Sequence, residues 1–331
     1  LCAMGMDYYW VHECITNMPL RYSDFNIGSR LRTDAPALEA RQDWLGTAKE
    51  RLNRLMAEDC DAIVSGLYEN HVCYLPHFPK KLHFIPLPLR SSVECRVDSV
   101  EFATALGSEE YRVKSEESLS VECRVDSVEF ATAYDASTNG RAVANSTLYT
   151  LNSTLKGSAV ANSKLYTLNS TLKLRLFIGI SRGRSAYKGT DIMLRAAEAI
   201  KEKYPDRVEI LKAEGVPFEQ YQNMMDGSDA ILDQLYSYTP SMNPLLAMSK
   251  GIVCIGGGEP ENYAILNETE LRPIVNVQPN YKSVFEELEQ LVLHPERLPR
   301  LKQESMEYVS RHHDYLKVAA QYEELYGKVS S

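Results

Sequence analysis

Three basic side chains, Arg182, Arg184 and Lys188, lie in a short glycine-containing loop between an apolar run and a helix-like pattern. Such a loop suits an anion, because the N-terminus of the following helix offers unpaired N–H groups and a partial positive charge. Arg can bind a phosphate group through two N–H groups, whereas Lys acts as a point charge. Gly257 and Gly258 form a second glycine run, where a backbone can approach a ligand closely because glycine has no Cβ. Together the two loops predict a cleft for a phosphorylated ligand.

The segments around these loops alternate between short apolar runs and amphipathic stretches. This alternation predicts a doubly wound α/β fold, in which helices cover both faces of a parallel sheet. The tail, residues 281–326, has a mostly helical pattern. The predicted strands are Leu174–Ile180, Val208–Leu211, Ala230–Leu232 and Ile252–Ile255, and the predicted helices are Asp191–Tyr204, Phe218–Met225 and Asn243–Lys250.

Residues 1–90 have the same α/β texture, and we assign them to a partial second domain. The sequence pattern predicts one amphipathic helix over Leu38–Glu58 and a short buried strand over Asp61–Ser65. It also predicts a strand over Leu82–Leu89 that is interrupted by two prolines. The opening LCAMGM has the pattern of an interior strand. We therefore expect the first half of this domain to be missing from the chain.

Residues 91–173 contain two different repeats, each present twice. Ser92–Ala105 recurs letter for letter as Ser120–Ala133, and Val143–Lys156 recurs as Val160–Lys173 with one change. Structural repeats normally keep a pattern and not every residue, so duplication of DNA is the favoured origin. The segment is predicted to be either a β-rich set of hairpins or a disordered polar linker between residues 1–90 and a C-terminal domain at 174–331.

The composition excludes some classes of function. A net charge of −9 disfavours a nucleic-acid-binding protein. The sequence has no apolar run near the roughly 18 residues of a membrane-spanning helix, which leaves open only a peripheral contact with a membrane. The seven cysteines contain no C-x-x-C pair, and their odd number favours free thiols in a cytoplasmic protein.

The C-terminal part resembles the donor-binding domain of retaining GT-B glycosyltransferases, which use nucleotide sugars to build polysaccharides. The resemblance rests on GISRGR at 179–184, the Lys188–Gly189 pair, LAMSKGIV at 246–253, and GGE at 257–259. It covers residues 174 to about 326 and extends less specifically over residues 1–90. It implies a GT-B-like fold and transfer of a sugar from a nucleotide diphosphate to a saccharide or lipid-linked acceptor, without a cofactor or metal ion.

The resemblance also implies which residues would bind the donor. Arg182 or Arg184 would clamp the diphosphate together with Lys188, and Gly257 and Gly258 would let the backbone approach it. The remaining donor-binding candidates are Gly189, Tyr238, Asn243 and Glu259.

One departure from the family pattern concerns its two glutamates, which are separated by seven residues. Here these positions hold Tyr238 and Leu246. The Tyr238 phenol can bond a sugar hydroxyl, but Leu246 cannot bond a ribose. That contact must be absent or supplied elsewhere, and the nearby candidates are Asp233, Gln234, Tyr236 and Asn243.

No catalytic residue can be named from the sequence, and Asp7 and His12 are weak candidates after the first predicted strand. No set of side chains has metal-ligand spacing. Two alternatives to an active glycosyltransferase stay open. One is a truncated, non-catalytic relative that only binds a nucleotide, and the other is a sugar-nucleotide epimerase of similar fold.

Overall fold

A computed structural model describes residues 1–90, 173–181 and 183–329. The repeat-containing segment lies outside these residues except for Lys173, so its prediction as hairpins or linker stays a prediction. The described residues form two lobes, and each has its own parallel sheet.

The N-terminal lobe is built on a three-stranded parallel sheet with the order β1–β4–β5. A separate antiparallel hairpin, β2–β3, follows the first helix. The strands are β1 (Cys2–Ala3), β2 (Asn26–Ile27), β3 (Arg30–Leu31), β4 (Ile63–Ser65) and β5 (Leu82–Phe84). The helices are α1 (Tyr8–Thr16), α2 (Ala35–Trp44), α3 (Ala48–Asp59) and α4 (Tyr68–Tyr74).

The single helix predicted over Leu38–Glu58 is wrong, because the structure has two helices there. Leu45 leaves the helical conformation after α2, with a ψ of 132°, and Gly46 follows with a positive φ of 72°. Thr47 then caps α3, since its hydroxyl accepts a hydrogen bond from the backbone N–H of Lys49 at 3.2 Å. The apolar periodicity continues across this break, so periodicity alone could not find it.

The C-terminal lobe contains a five-stranded parallel sheet with the order β10–β9–β8–β6–β7. Its strands are β6 (Leu174–Ile180), β7 (Val208–Glu214), β8 (Ala230–Leu232), β9 (Val253–Gly256) and β10 (Val275–Asn276). Its helices are α5 (Ser185–Lys188), α6 (Thr190–Lys203), α7 (Phe218–Asp226), α8 (Met242–Ser249), α9 (Pro260–Ile265), α10 (Tyr281–Leu293) and α11 (Leu298–His312), with a 3₁₀ turn at Pro295–Arg297.

Helices cover both faces of this sheet, which confirms the predicted α/β class. Strand β6 illustrates this arrangement, because its side chains point alternately to the two faces of the sheet. Leu176 and Ile178 pack with Met193 and Leu288, from α6 and α10, in one apolar core. Phe177 packs in a second core on the opposite face, with side chains from α7, α8 and α11. Strand β6 is thus buried on both sides.

The last helix, α12 (Tyr315–Val329), returns to the N-terminal lobe. Val318 and Leu325 on this helix pack with Val64 and Ile85, which belong to the β4–β5 region. The chain therefore connects the two lobes a second time. In the part of the chain that the structure describes, no helix combines the length and apolarity needed to cross a bilayer.

Candidate functional site

The smaller of two cavities near the predicted site lies where three strands of the C-terminal sheet end. From β6 the chain adds β7 on one side and then β8 on the other, so the strand order reverses at β6. Open parallel sheets bind ligands at such a reversal, outside the carboxyl ends of the strands. The cavity has a volume of about 560 Å³ and is lined by Gly179, Ile180, Ser181, Lys188, Ala213, Gly215, Val216, Tyr221, Leu232, Asp233 and Asn243.

Lys188 is the cation in the lining of this cavity, and the turn after it fixes its position. Helix α5 ends at Lys188, and Gly189 follows with a φ of 74°. A Cβ at Gly189 would lie 2.9 Å from the side chain of Leu235, so the turn needs glycine. The N–H of Leu235 also donates to the carbonyl of Lys188 at 2.9 Å. Gly189 therefore positions Lys188, and its predicted contact with a donor stays a prediction.

Asp233 and Asn243 supply the polar groups beside Lys188. Asp233 is buried, and burial raises the pKa of its carboxyl, although Lys188 and a hydrogen bond from Asn243 pull it down. The amide of Asn243 also donates to the hydroxyl of Tyr221 at 2.9 Å. The cavity thus offers a positive charge for an anion and acceptor oxygens for hydroxyl groups.

The larger cavity, of about 880 Å³, lies between the lobes. The Arg184 guanidinium lies there 5.4 Å from the ring centre of Tyr187, whose hydroxyl donates to Asp24 at 2.5 Å. Burial raises the pKa of Asp24 to about 7, against the opposing effects of Tyr187 and Arg32. Its lining comprises Gly5, Met6, Trp10, Asp24, Pro36, Glu39, Ala40, Gln42, Asp43, Leu67, Glu69, Gly183, Arg184, Tyr187, Gln234, Tyr236 and Ser237.

The structure therefore places Arg184 and Lys188 in the linings of different cavities. The adjacent residues Asp233 and Gln234 are divided in the same way: Asp233 lines the smaller cavity and Gln234 the larger one. Arg182 lies outside the described residues. A clamp that uses Lys188 together with an arginine stays a prediction.

Tyr238 and Glu259 lie where the two lobes meet. The Tyr238 ring packs against Tyr22 and Tyr68, with ring centres 4.8 and 5.7 Å away, and its hydroxyl accepts the N–H of Arg21 at 2.7 Å. Glu259 is buried and accepts hydrogen bonds from the Arg21 guanidinium at 2.7 Å and from the hydroxyl of Tyr22. Both donor-binding candidates are therefore bonded to the N-terminal lobe, and neither lines the two cavities.

Packing within the protein explains why glycine is needed at positions 257 and 258. A Cβ at Gly257 would lie 2.0 Å from the carbonyl oxygen of Ser237, and one at Gly258 would lie 2.7 Å from the Ile274 side chain. The close approach predicted for these glycines thus exists, but it is made to protein. Their contact with a donor stays a prediction.

Sequence reasoning missed Glu69, a buried carboxylate on α4 that reaches across to the C-terminal lobe. Its oxygens accept hydrogen bonds from the Ser237 hydroxyl at 2.6 Å and from the Tyr238 N–H at 2.5 Å. The N–H and hydroxyl of Thr239 donate to it at 3.2 and 2.5 Å. These partners are about 170 positions away in sequence, so no local pattern could reveal them.

The two weak catalytic candidates lie in the N-terminal lobe, outside the linings of both cavities. Asp7 caps α1: its carboxylate accepts the N–H of Trp10 at 3.0 Å and the hydroxyl of Tyr74 at 2.8 Å. Burial raises the pKa of Asp7 to about 6. His12 lies 3.2 Å from Glu13 on the same helix. These contacts explain Asp7 as a helix cap, and a catalytic role for either residue stays a prediction.

Comparison with solved structures finds proteins solved in complex with UDP or UDP-glucose and a protein described as a glycosyltransferase. No protein-family model and no curated protein sequence matches the chain. Anabaena HepE, solved with UDP-glucose, matches with a TM-score of 0.47 and 12% identity over 86% of this chain and 68% of its own. A glycosyltransferase from Rickettsia africae matches with a TM-score of 0.47 and 10% identity, over 91% and 76%. Staphylococcus aureus TarM, solved with UDP, gives 0.47 and 8%, over 84% and 46%.

The chain is thus similar in structure to GT-B glycosyltransferases over most of its length, as the sequence resemblance implied. It spans less than half the length of TarM and about two thirds of HepE. Since the TM-scores lie below 0.5, the activity has to be argued from the residues of the site.

Proposed function

We propose that the smaller cavity binds the nucleotide part of a nucleotide-sugar donor and that the chain acts as a glycosyltransferase. The observation that carries this proposal is the position of Lys188. A lysine in a cavity at the reversal point of a parallel sheet faces the place where such sheets bind phosphorylated ligands. Helix α6 begins two residues later, and helix N-termini favour anions.

In this proposal the ammonium group of Lys188 contacts the diphosphate. When the sugar leaves, negative charge develops on the terminal phosphate, and a fixed cation stabilises that charge. A hydrogen bond to a charged group contributes about 1.5–3 kcal/mol. Removal of the Lys188 side chain should therefore weaken nucleotide binding by about 10- to 150-fold.

Asp233 and Asn243 are proposed to bind hydroxyl groups of the ribose, in place of the leucine at position 246. Leu246 is half-buried and packs against an apolar cluster, and its side chain has no group that could make a polar contact. A carboxylate accepts hydrogen bonds from two neighbouring hydroxyls. Asp233→Ala should therefore weaken the binding of a nucleoside diphosphate without weakening the binding of inorganic pyrophosphate, since it removes a negative charge beside Lys188.

The larger cavity is proposed to take the acceptor. It draws its lining from both lobes and includes the carboxylates of Asp24, Glu39 and Asp43, which can accept hydrogen bonds from sugar hydroxyls. A saccharide, free or lipid-linked, fits this chemistry. We also propose a cytoplasmic location, which the odd number of cysteines supports.

Titration of the chain with UDP, GDP and ADP and with their sugar conjugates tests the proposal. We expect one of the three nucleotides to bind, with affinity lost in Lys188→Ala and kept in Lys201→Ala. Lys201 is a suitable control because it is an exposed lysine on the following helix, α6, outside the cavity. A folded sample that binds none of these nucleotides would refute the proposal.

The non-catalytic alternative is favoured by one observation, the engagement of Tyr238 and Glu259 with Arg21 and Tyr22. Product analysis separates the alternatives. Release or transfer of the sugar indicates a glycosyltransferase, conversion of the sugar nucleotide to its epimer indicates an epimerase, and binding without turnover indicates a nucleotide-binding relative.

A further inference from the structure

Two imidazoles and one carboxylate converge on the N-terminal lobe, away from both cavities. His12 and Glu13 are consecutive on α1, and His77 lies in the turn that follows α4. The Glu13 Oε1 atom lies 3.2 Å from His12 Nδ1 and 2.8 Å from His77 Nε2. All three candidate ligand atoms lie within 4.8 Å of one another.

These separations suit a shared metal ion. Protein nitrogen and oxygen atoms bind Zn²⁺ at about 2.0–2.2 Å. Two such atoms, at the angles of a tetrahedral or octahedral ion, lie roughly 3–3.5 Å apart. The two measured distances are near this range, so small side-chain rotations of His12 and His77 would admit an ion among the three groups.

Burial and access also suit an ion. The Glu13 side chain is only 1% exposed, whereas those of His12 and His77 are 35% and 36% exposed. The histidines therefore face solvent, from which an ion and its remaining water ligands can come. The other Glu13 oxygen accepts the amide of Asn17 at 2.7 Å, which fixes the carboxylate. The Tyr9 ring, with its centre 5.0 Å from that of His77, restrains this imidazole.

We propose that His12, Glu13 and His77 form a binding site for a divalent first-row transition ion such as Zn²⁺. The ion replaces the two imidazole–carboxylate hydrogen bonds. Each neutral imidazole changes tautomer and presents a lone pair to the ion, while its proton moves to the ring nitrogen on the solvent side. The ion then connects α1 to the turn after α4, so binding should stabilise the N-terminal lobe.

Sequence spacing could not reveal this site, because His77 is 64 positions from Glu13. The simpler explanation of the same contacts is a buried carboxylate that is only hydrogen-bonded by two histidines. Zn²⁺ binding that is weakened by substitution of His12 or His77 would favour the metal site over simple hydrogen bonding.

The experiment is a titration of the untagged, chelator-treated full chain with Zn²⁺ by calorimetry, and with Co²⁺ by visible absorption. We expect one high-affinity ion per chain and a rise in melting temperature with added Zn²⁺. His77→Ala and His12→Ala should each weaken binding at least tenfold. Asn17→Ala should weaken it about tenfold, as is typical for residues that orient a ligand.

His294→Ala is the matched control and should leave binding unchanged. His294 lies 3.1 Å from Glu296 in an exposed pair that no third ligand joins among the described residues. The proposal is overturned if the chain binds no Zn²⁺ beyond weak surface sites, or if both His12→Ala and His77→Ala bind it as tightly as wild type. Should His77→Ala fail to fold, the Co²⁺ spectrum of His12→Ala decides, since the His12 side chain is partly exposed and its removal leaves Glu13 bonded to His77 and Asn17.

Discussion

Glu69 offers a sharp test of how the two lobes are joined. Its buried carboxylate accepts four hydrogen bonds from Ser237, Tyr238 and Thr239, which precede α8 in the C-terminal lobe. In Glu69→Ala all four donors lose this partner. The Ser237 hydroxyl can still donate to the carbonyl of Thr239, at 2.7 Å, which leaves two backbone N–H groups and the Thr239 hydroxyl as the three unpaired donors. In Glu69→Gln an acceptor oxygen stays in place, but the negative charge is lost.

The expected cost follows from these groups. A buried donor without a partner costs about 1–3 kcal/mol, and we take the low end because the adjoining larger cavity admits water. Three donors give about 3 kcal/mol for Glu69→Ala, whereas Glu69→Gln should cost about 1 kcal/mol. At roughly 2–4 °C per kcal/mol, Glu69→Ala should melt about 6–12 °C lower than wild type.

The assay is thermal and denaturant unfolding, followed by circular dichroism and by tyrosine fluorescence. Glu39→Ala is the control: this glutamate lines the same cavity but is exposed, and its loss should change stability by no more than about 0.5 kcal/mol. If Glu69→Ala unfolds at the same temperature as Glu39→Ala, the hydrogen bonds from Glu69 to residues 237–239 do not stabilise the fold, and the expected cost is wrong.

Two other substitutions test local geometry. Gly257→Ala should lower the free energy of unfolding by about 3 kcal/mol or more, since its Cβ would lie 2.0 Å from the Ser237 oxygen. The control is Gly5→Ala, which has open space around it and should change this free energy by no more than about 0.5 kcal/mol. Equal stabilities of the two variants in denaturant unfolding would contradict this packing. Asp24, whose folded pKa of about 7 exceeds its ordinary 3.8, stabilises the fold when protonated, and this contribution is lost as the pH rises through 7. Asp24→Asn removes the titrating group but keeps the hydrogen bond from Tyr187. Between pH 3.8 and 7 the free energy of unfolding of wild type should therefore fall relative to that of the variant. Parallel pH profiles would contradict the raised pKa of Asp24.

Much of the C-terminal fold could be predicted from the sequence. Strands β6 and β8 begin and end at the predicted residues, because a compact apolar run bounded by turns has few other ways to be buried. The break between α2 and α3 could not be predicted, since it depends on the backbone conformation of Gly46 within a continuous amphipathic pattern. The return of α12 to the N-terminal lobe depends on packing between segments that are far apart in sequence.

The candidate site was predictable only in part. Lys188 follows a strand and precedes a helix, so its local pattern placed it near the carboxyl ends of the strands. The division of Arg184 and Lys188 between two cavities follows from the short helix α5 and the turn at Gly189, which no spacing rule describes. The contacts of Glu259 and Glu69 with the opposite lobe depend on how the lobes pack.

The central claim is that Lys188 marks the place of a nucleotide diphosphate. The most direct measurement is a crystal structure of the chain with whichever of UDP, GDP or ADP binds in titration. We expect the diphosphate in the smaller cavity, within hydrogen-bond distance of the Lys188 ammonium group, with the ribose near Asp233. A nucleotide bound in the larger cavity beside Arg184, or elsewhere on the protein, would contradict the claim.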